Sequence, residues 1–193
     1  MTINLQKGQR IDLTKGKADL SRIMVGLGWD PVGKTGFFKS APNIDCDASV
    51  IMLQNDRFTD KKDLIYFGNK NSKNGSVVHS GDNTTGEGDG DDEVIMVDLK
   101  NVPSDYNKLV FVVNIYDCER RKQDFGMIKN AYIRIVNPQT KEEIIRYNLS
   151  DNYSGQTTLI TGEIYRHNDE WKFAAVGTGT TDPGLSAICN RYL

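Results

Sequence analysis

Short runs of β-branched and aliphatic residues, separated by polar and glycine-bearing stretches, make up most of this chain, and they predict strands. Residues 22–29, 46–53, 94–99, 109–116, 131–136, 143–148, 157–165 and 171–178 all have this character. Several of the runs alternate. In Tyr132-Ile133-Arg134-Ile135-Val136, Ile133 and Ile135 share one face and Arg134 takes the other. Leu109 to Val113 is apolar at every position, as a strand buried on both faces would be. His167-Asn168-Asp169-Glu170 is polar and separates two such runs, so it is expected to be a hairpin turn. No repeat of fixed period is visible.

Helical patterns are few. Asp182-Pro183-Gly184-Leu185 is expected to open one, with Asp182 capping and Pro183 in the first helical position. Leu185, Ile188, Cys189 and Tyr192 then follow helical spacing and should dock on a sheet. Residues 118–124 suggest a short polar helical turn ending before Gly126. The pattern therefore predicts a mainly β protein: an antiparallel β-sandwich with short helices, including one at the C-terminus, forming a single domain over residues 1–193.

One segment departs from this alternation. Residues 82–93 read Asp-Asn-Thr-Thr-Gly-Glu-Gly-Asp-Gly-Asp-Asp-Glu, with six carboxylates and no Lys or Arg. Charges so close repel one another unless something cationic sits among them. Gly86, Gly88 and Gly90 let the backbone fold back and point carbonyls inward. Carboxylates, the Asn83 amide, hydroxyls and bent backbone form an all-oxygen donor set. Such a set suits a hard divalent cation, Ca²⁺ before Mg²⁺, because Ca²⁺ accepts about six to eight oxygens in loose geometry. The plainer reading is a solvated acidic loop at one end of the sandwich.

A second acidic element is Asp45-Cys46-Asp47. In a strand both aspartates project from one face and Cys46 from the other. Asp30 follows the strand that ends at Trp29 and could complete a cluster in which Asp30, Asp45 and Asp47 meet the acidic loop around one or two Ca²⁺ ions. An exposed strand start bearing ordinary surface aspartates fits the spacing equally well.

Composition narrows the classes. A chain of 193 residues with net charge −2 has no basic stripe to neutralise phosphates, which excludes nucleic acid as an expected partner. The N-terminus lacks an apolar signal-peptide core and no run is long enough to span a bilayer. Cys46, Cys118 and Cys189 are odd in number and far apart, which reads as reduced thiols in a cytoplasmic protein. His79 and His167 are too scattered for a typical zinc site.

Four named motifs compete with the calcium reading. Residues 82–93 have the length of an EF-hand loop, but position six is Glu87 rather than Gly, and the flanks look like strands. Gly28-Trp-Asp-Pro-Val-Gly33-Lys34-Thr35 has P-loop spacing, yet Gly36-Phe37-Phe38 and Pro42 are poor material for the helix a P-loop needs. Asp45-x-Asp47-x-Ser49 echoes the nucleophile motif of haloacid-dehalogenase-type phosphatases without the apolar parallel strand that precedes it there. Gly86-Glu-Gly88-Asp-Gly90-Asp is a fragment of a β-roll repeat, with no tandem copy following. Trp29, Trp171, Phe111 and Phe173 read as core. Arg120-Arg121-Lys122 reads as a solvated turn. Arg166 and Lys172 are placed to pair with Glu163 or Glu170 across the hairpin.

Taken together, 26–30 (Gly-Leu-Gly-Trp-Asp), 45–49 (Asp-Cys-Asp-Ala-Ser), 79–93, 111–117, 164–173 and the closing Gly184-Leu185 strongly resemble the TerD family of tellurium-resistance and general-stress proteins, over nearly the whole chain. The resemblance implies a β-sandwich binding two Ca²⁺ ions between the acidic segments, with no established catalytic activity. Carried over position by position, it implies Asp30, Asp45, Asp47, Asp82, Asn83, Glu87, Asp91, Asp92 and Glu93 as ligands, assisted by the backbone carbonyls of Gly86 and Gly88. Ile44 and Cys46 beside the paired acids, and the insert 31–42, depart from the family pattern without touching a ligand. The expected function is a cytoplasmic calcium-binding stress protein, not an enzyme. It would act through calcium-dependent structure read by a protein partner or a membrane-associated complex. The alternatives are a Mg²⁺-dependent phosphoryl-transfer enzyme on the same carboxylates, or a nucleotide-binding module at Gly33-Lys34-Thr35.

Overall fold

A computed structural model describes residues 2–16, 20–31, 44–80, 90–168 and 170–193. In chain order its strands are β1 (Ile3–Leu5), β2 (Arg10–Asp12), β3 (Arg22–Pro31), β4 (Cys46–Gln54), β5 (Leu64–Ile65) and β6 (Val77–His79). They continue with β7 (Glu93–Asp98), β8 (Tyr106–Ile115), β9 (Ile128–Val136), β10 (Glu143–Asn148), β11 (Thr158–His167) and β12 (Glu170–Thr180). Two short α-helices, α1 (Cys118–Arg121) and α2 (Leu185–Cys189), complete the set with three single-turn 3₁₀ segments. The strands form two six-stranded sheets, ordered β1-β10-β9-β3-β7-β6 and β2-β12-β11-β8-β4-β5. Every pairing is antiparallel except β1 with β10.

Period-two patterning explains how the sheets stack. Ile23, Val25 and Leu27 of β3 and Ile133 and Ile135 of β9 point inward from the first sheet. They meet Val50 and Met52 of β4, Leu109 and Phe111 of β8 and Phe173 of β12 from the second, all of them buried. Trp29 and Trp171 join this core, as expected of them. Strand β8 is buried on both faces: Leu109, Phe111 and Val113 enter the sandwich, while Val110 and Val112 lie in a second apolar cluster with Ile51, Leu53 and Ile160. Ile188 and Cys189 of α2 cover that outer cluster, with Leu185 and Tyr192 packed beside them, so the C-terminal helix docks through the residues its spacing singled out.

Its start differs from expectation. The cap position is Gly184, and no side chain caps the helix. Asp182 is occupied otherwise: its carboxylate accepts from Arg191 at 2.6 Å, and its carbonyl accepts the hydroxyls of Thr157 and Thr158 at 2.7 and 2.9 Å. The pairing of Lys172 also differs. Lys172 stands opposite Tyr165 and reaches Asp12 of β2 at 3.1 Å, not Glu163 or Glu170. Arg166 donates to the carbonyls of Val102 and Tyr106 and lies over the Trp171 ring at 4.2 Å. His167 ends β11 and pairs with Glu170, the first residue of β12, as a hairpin there requires, with Asn168 at φ 52°, a conformation Asn tolerates.

The topology brings the carboxylate-bearing segments to one end. Leu27, near the end of β3, pairs with Glu93, the first residue of β7. In the other sheet Cys46, the first residue of β4, pairs with Ile115, the last of β8. The two ends are fastened to each other: the backbone N–H of Ala48 donates to Glu93 Oε2 at 2.5 Å, across from one sheet to the other.

Candidate metal centre

Of the predicted ligands, Asp30, Asp45, Asp47, Asp91, Asp92 and Glu93 are described; Asp82, Asn83, Gly86, Glu87 and Gly88 lie outside the described residues, as do Gly33, Lys34 and Thr35. Each described carboxylate is set by its element. Asp30, the penultimate residue of β3, stands opposite Lys129, and its Oδ2 accepts the Asn130 amide at 2.7 Å. Asp92 sits one residue before β7, where the Trp29 backbone N–H donates to its Oδ2 at 2.7 Å. Asp45 precedes β4 and holds its backbone carbonyl to the Tyr116 N–H, with Arg121 of α1 at 3.5 Å from its carboxylate. Asp47 is buried on the outer face of the second sheet, opposite Asn114. Cys46 points the other way, into the core, as the alternation required.

The electrostatics record the crowding. Burial pushes the Cys46 thiol well above its ordinary value, and the charges of Asp47, Asp45, Asp92 and Glu93 push it further. One buried thiol thus senses carboxylates from both sheets. Burial also raises Asp92 to about 6, against the Trp29 hydrogen bond, with Asp30, Asp91 and Glu93 adding repulsion. This has a consequence for stability in the absence of metal. A carboxyl raised in the folded state favours folding while protonated, so its contribution is lost as pH climbs from about 4 to about 6. Asp92 is only half-buried, and after discounting for solvent screening the loss is about 1 kcal/mol. Urea unfolding in EDTA at pH 4.5 and 7 should show Asp92→Asn gaining on the wild type at the higher pH. An equal pH response in both would remove Asp92 as the cause.

Two predicted ligands are engaged elsewhere. Asp91 turns onto the outer face of the first sheet, where Arg134 Nε and Nη2 grip its two oxygens at 2.7 and 2.9 Å. The Tyr132 hydroxyl donates to the Gly90 carbonyl at 2.7 Å and lies 3.0 Å from Asp91 Oδ1. Its carboxylate is therefore neutralised by a guanidinium rather than turned toward its neighbours. Glu93, 1 % exposed, gives Oε2 to the Ala48 N–H, and His79 Nε2 lies 3.2 Å from the same oxygen and 3.1 Å from the Ala48 carbonyl. His79, set aside as a zinc ligand from sequence, is a buried brace between the sheets.

Whether these residues fit a divalent ion can be judged from the donors themselves. The carboxylates of Asp30, Asp45, Asp47 and Asp92, with the Asn114 amide and the Ser49 hydroxyl, offer oxygen at this end. Two of the buried oxygens, Asn114 Oδ1 and Ser49 Oγ, have no hydrogen-bond partner. Among the described residues no three His, Cys, Asp or Glu side chains are close enough together to hold an ion, so further donors are needed. The residues fit an oxygen-liganded cation completed by another segment.

The rival motifs lose their structural context. Gly28 of the P-loop pattern lies inside β3, paired with Tyr132 of β9, and pairing continues to Pro31. A Cβ on Gly28 would stand 2.5 Å from the Tyr132 ring, which accounts for the glycine without a phosphate. Strand β4, which Asp45 precedes and Asp47 enters, pairs antiparallel with both β5 and β8, unlike the parallel strand of the phosphatase motif.

Comparison with known proteins agrees with this architecture. Residues 1–192 match the TerD domain. The chain is 65% identical over 199 aligned residues to stress response protein SCP2 of Bacillus subtilis, with 100% of each covered. It is 42% identical to tellurium resistance protein TerD of Serratia marcescens, over 100% of this chain and 97% of that one. The solved structure of a homologue of telluride resistance protein TerD from Streptomyces coelicolor covers 83% of this chain and 90% of its own. It superposes with a TM-score of 0.62 at 21% identity, a likeness of fold. The chain belongs to the TerD family, whose relatives here are stress-response and tellurium-resistance proteins. No helix among the described residues is long and apolar enough to cross a membrane.

Proposed function

We propose that this protein is a cytoplasmic calcium-binding stress-response protein that acts through cation-dependent structure and partner binding, without catalysing a reaction. The observation that carries the reading is the delivery of Asp30, Asp45, Asp47 and Asp92 to one end of the sandwich by strands of both sheets. In this reading Asp82, Asn83 and Glu87, with the carbonyls of Gly86 and Gly88, supply the remaining oxygens for up to two Ca²⁺ ions. Asp91 is left out of the set because Arg134 holds it, and Glu93 keeps one oxygen on the sheet-to-sheet brace. The cation would offset the repulsion among these carboxylates and order the surface that a partner reads.

The test is calorimetric titration of EDTA-stripped protein with Ca²⁺, then with Mg²⁺ as competitor. Saturable binding at micromolar or tighter Kd, little affected by millimolar Mg²⁺, is expected. Asp47→Ala and Asp82→Ala should each weaken it by more than about tenfold while leaving the metal-free fold intact. Absence of calcium binding, with turnover of a phosphoester in Mg²⁺, would replace this reading by the phosphoryl-transfer one.

A further inference from the structure

Across the second sheet at the acidic end, three residues stand in one row: Asp47 of β4, Asn114 of β8 and Thr158 of β11, each directly opposite the next. Residues directly opposed in an antiparallel ladder project from the same face. All three are buried, at 4, 5 and 0 % exposure. Thr158 is accounted for, since its hydroxyl donates to the Asp182 carbonyl at 2.9 Å. Asn114 is not: its amide oxygen is buried and has no hydrogen-bond partner. Ser49, two residues along β4 from Asp47 and so on the same face, has a buried hydroxyl in the same condition. A buried carbonyl left unpaired costs about 1–3 kcal/mol, so an asparagine at this position destabilises the metal-free fold unless something meets it.

We propose that the side-chain carbonyl of Asn114 is a ligand to the cation held at Asp47, which places one ion on the outer face of the second sheet beside Asp45 and Asp47. The proposal rests on the calcium reading above and adds to it a residue and a position. The chemistry suits the place. An amide oxygen fills a coordination position without adding charge to a crowded group of carboxylates, and Ca²⁺ readily accepts such neutral carbonyls among its ligands. The amide has no acidic proton to lose, so this ligand is neutral throughout the working pH range.

The experiment compares EDTA-stripped wild type, Asn114→Ala and Asn114→Asp by calcium titration calorimetry and by thermal unfolding without metal. Asn114→Ala should raise the calcium Kd about tenfold. Its metal-free melting temperature should be equal to or above that of the wild type, because an unsatisfied buried group is gone. Asn114→Asp, which keeps an oxygen at the same reach, should bind calcium at least as tightly as the wild type. The proposal is overturned if Asn114→Ala binds calcium like a wild type that itself binds. It is equally overturned if Asn114→Ala melts lower with Kd unchanged, the mark of a purely structural amide, or if Asn114→Asp loses as much affinity as alanine. A wild type that binds no calcium at all sinks the functional reading itself, an outcome seen before any variant is compared.

Discussion

Arg134→Ala is expected to cost the fold about 3 kcal/mol, a large share of what holds a protein of this size together. The Asp91 side chain is only 5% exposed, and both its oxygens rest on the Arg134 guanidinium. Removing the arginine leaves a buried carboxylate with the Tyr132 hydroxyl alone, and a buried charge stripped of its partner is far costlier than a surface ion pair is favourable. The damage should spread, because Arg134 Nη1 also reaches Glu143 of β10 at 3.0 Å and so ties β9 and β10 to the segment that leads into β7. Gly26 supplies an independent route to the same contact. A Cβ there would lie 2.2 Å from Asp91 Oδ2, so Gly26→Ala must displace the carboxylate from its guanidinium. Urea unfolding of Arg134→Ala, Gly26→Ala and the double variant should give large single losses that are far from additive, since both act through Asp91. A loss below 1 kcal/mol for Arg134→Ala, or full additivity, would mean that Asp91 is satisfied without it.

How far the sequence showed this arrangement differs from residue to residue. The eight long strands were legible because each has one or both faces in a core, which imposes alternation or an unbroken apolar run. The four that were not foreseen, β1, β2, β5 and β6, are two or three residues long and form the edges of the two sheets. An edge strand that short carries too few positions for a period to appear, and its backbone bonds to one neighbour rather than a run of side chains defines it. At the site, local spacing showed which residues are acidic and which face Asp45 and Asp47 share. It could not show that Asp91 belongs to Arg134, 43 positions away. A signal was present, however. Gly26 and Gly28 occupy one face of β3 at alternate positions, and glycine so placed marks a face where other side chains press on the backbone. Asp91 and the Tyr132 ring are those side chains. Asn114 lies within the family-like segment 111–117, but nothing in its local spacing marks it; only cross-strand register puts it beside Asp47.

Calcium and the Asp92 charge should act on stability in opposite senses, and this gives the second large effect. Saturation with Ca²⁺ at a hundredfold excess over Kd should add about 2.7 kcal/mol, and a second ion would add to that. For a protein of this size the shift in melting temperature is then about 5–10 °C. Asp92→Asn keeps the shape and the hydrogen bond from Trp29 while deleting a charge that burial and three neighbouring carboxylates disfavour. In EDTA at pH 7 the variant should melt above the wild type. In saturating calcium the order should reverse, because the variant has lost a charged ligand and gains less from the ion. A crossing of this kind is hard to obtain from a residue that merely packs: a structural aspartate changed to asparagine would shift both melts the same way. It is equally hard to obtain from a solvated acidic loop, where calcium would leave both proteins unmoved. Thermal unfolding of the two proteins, with and without the ion, therefore separates a carboxylate held in place to receive a cation from one that is simply crowded.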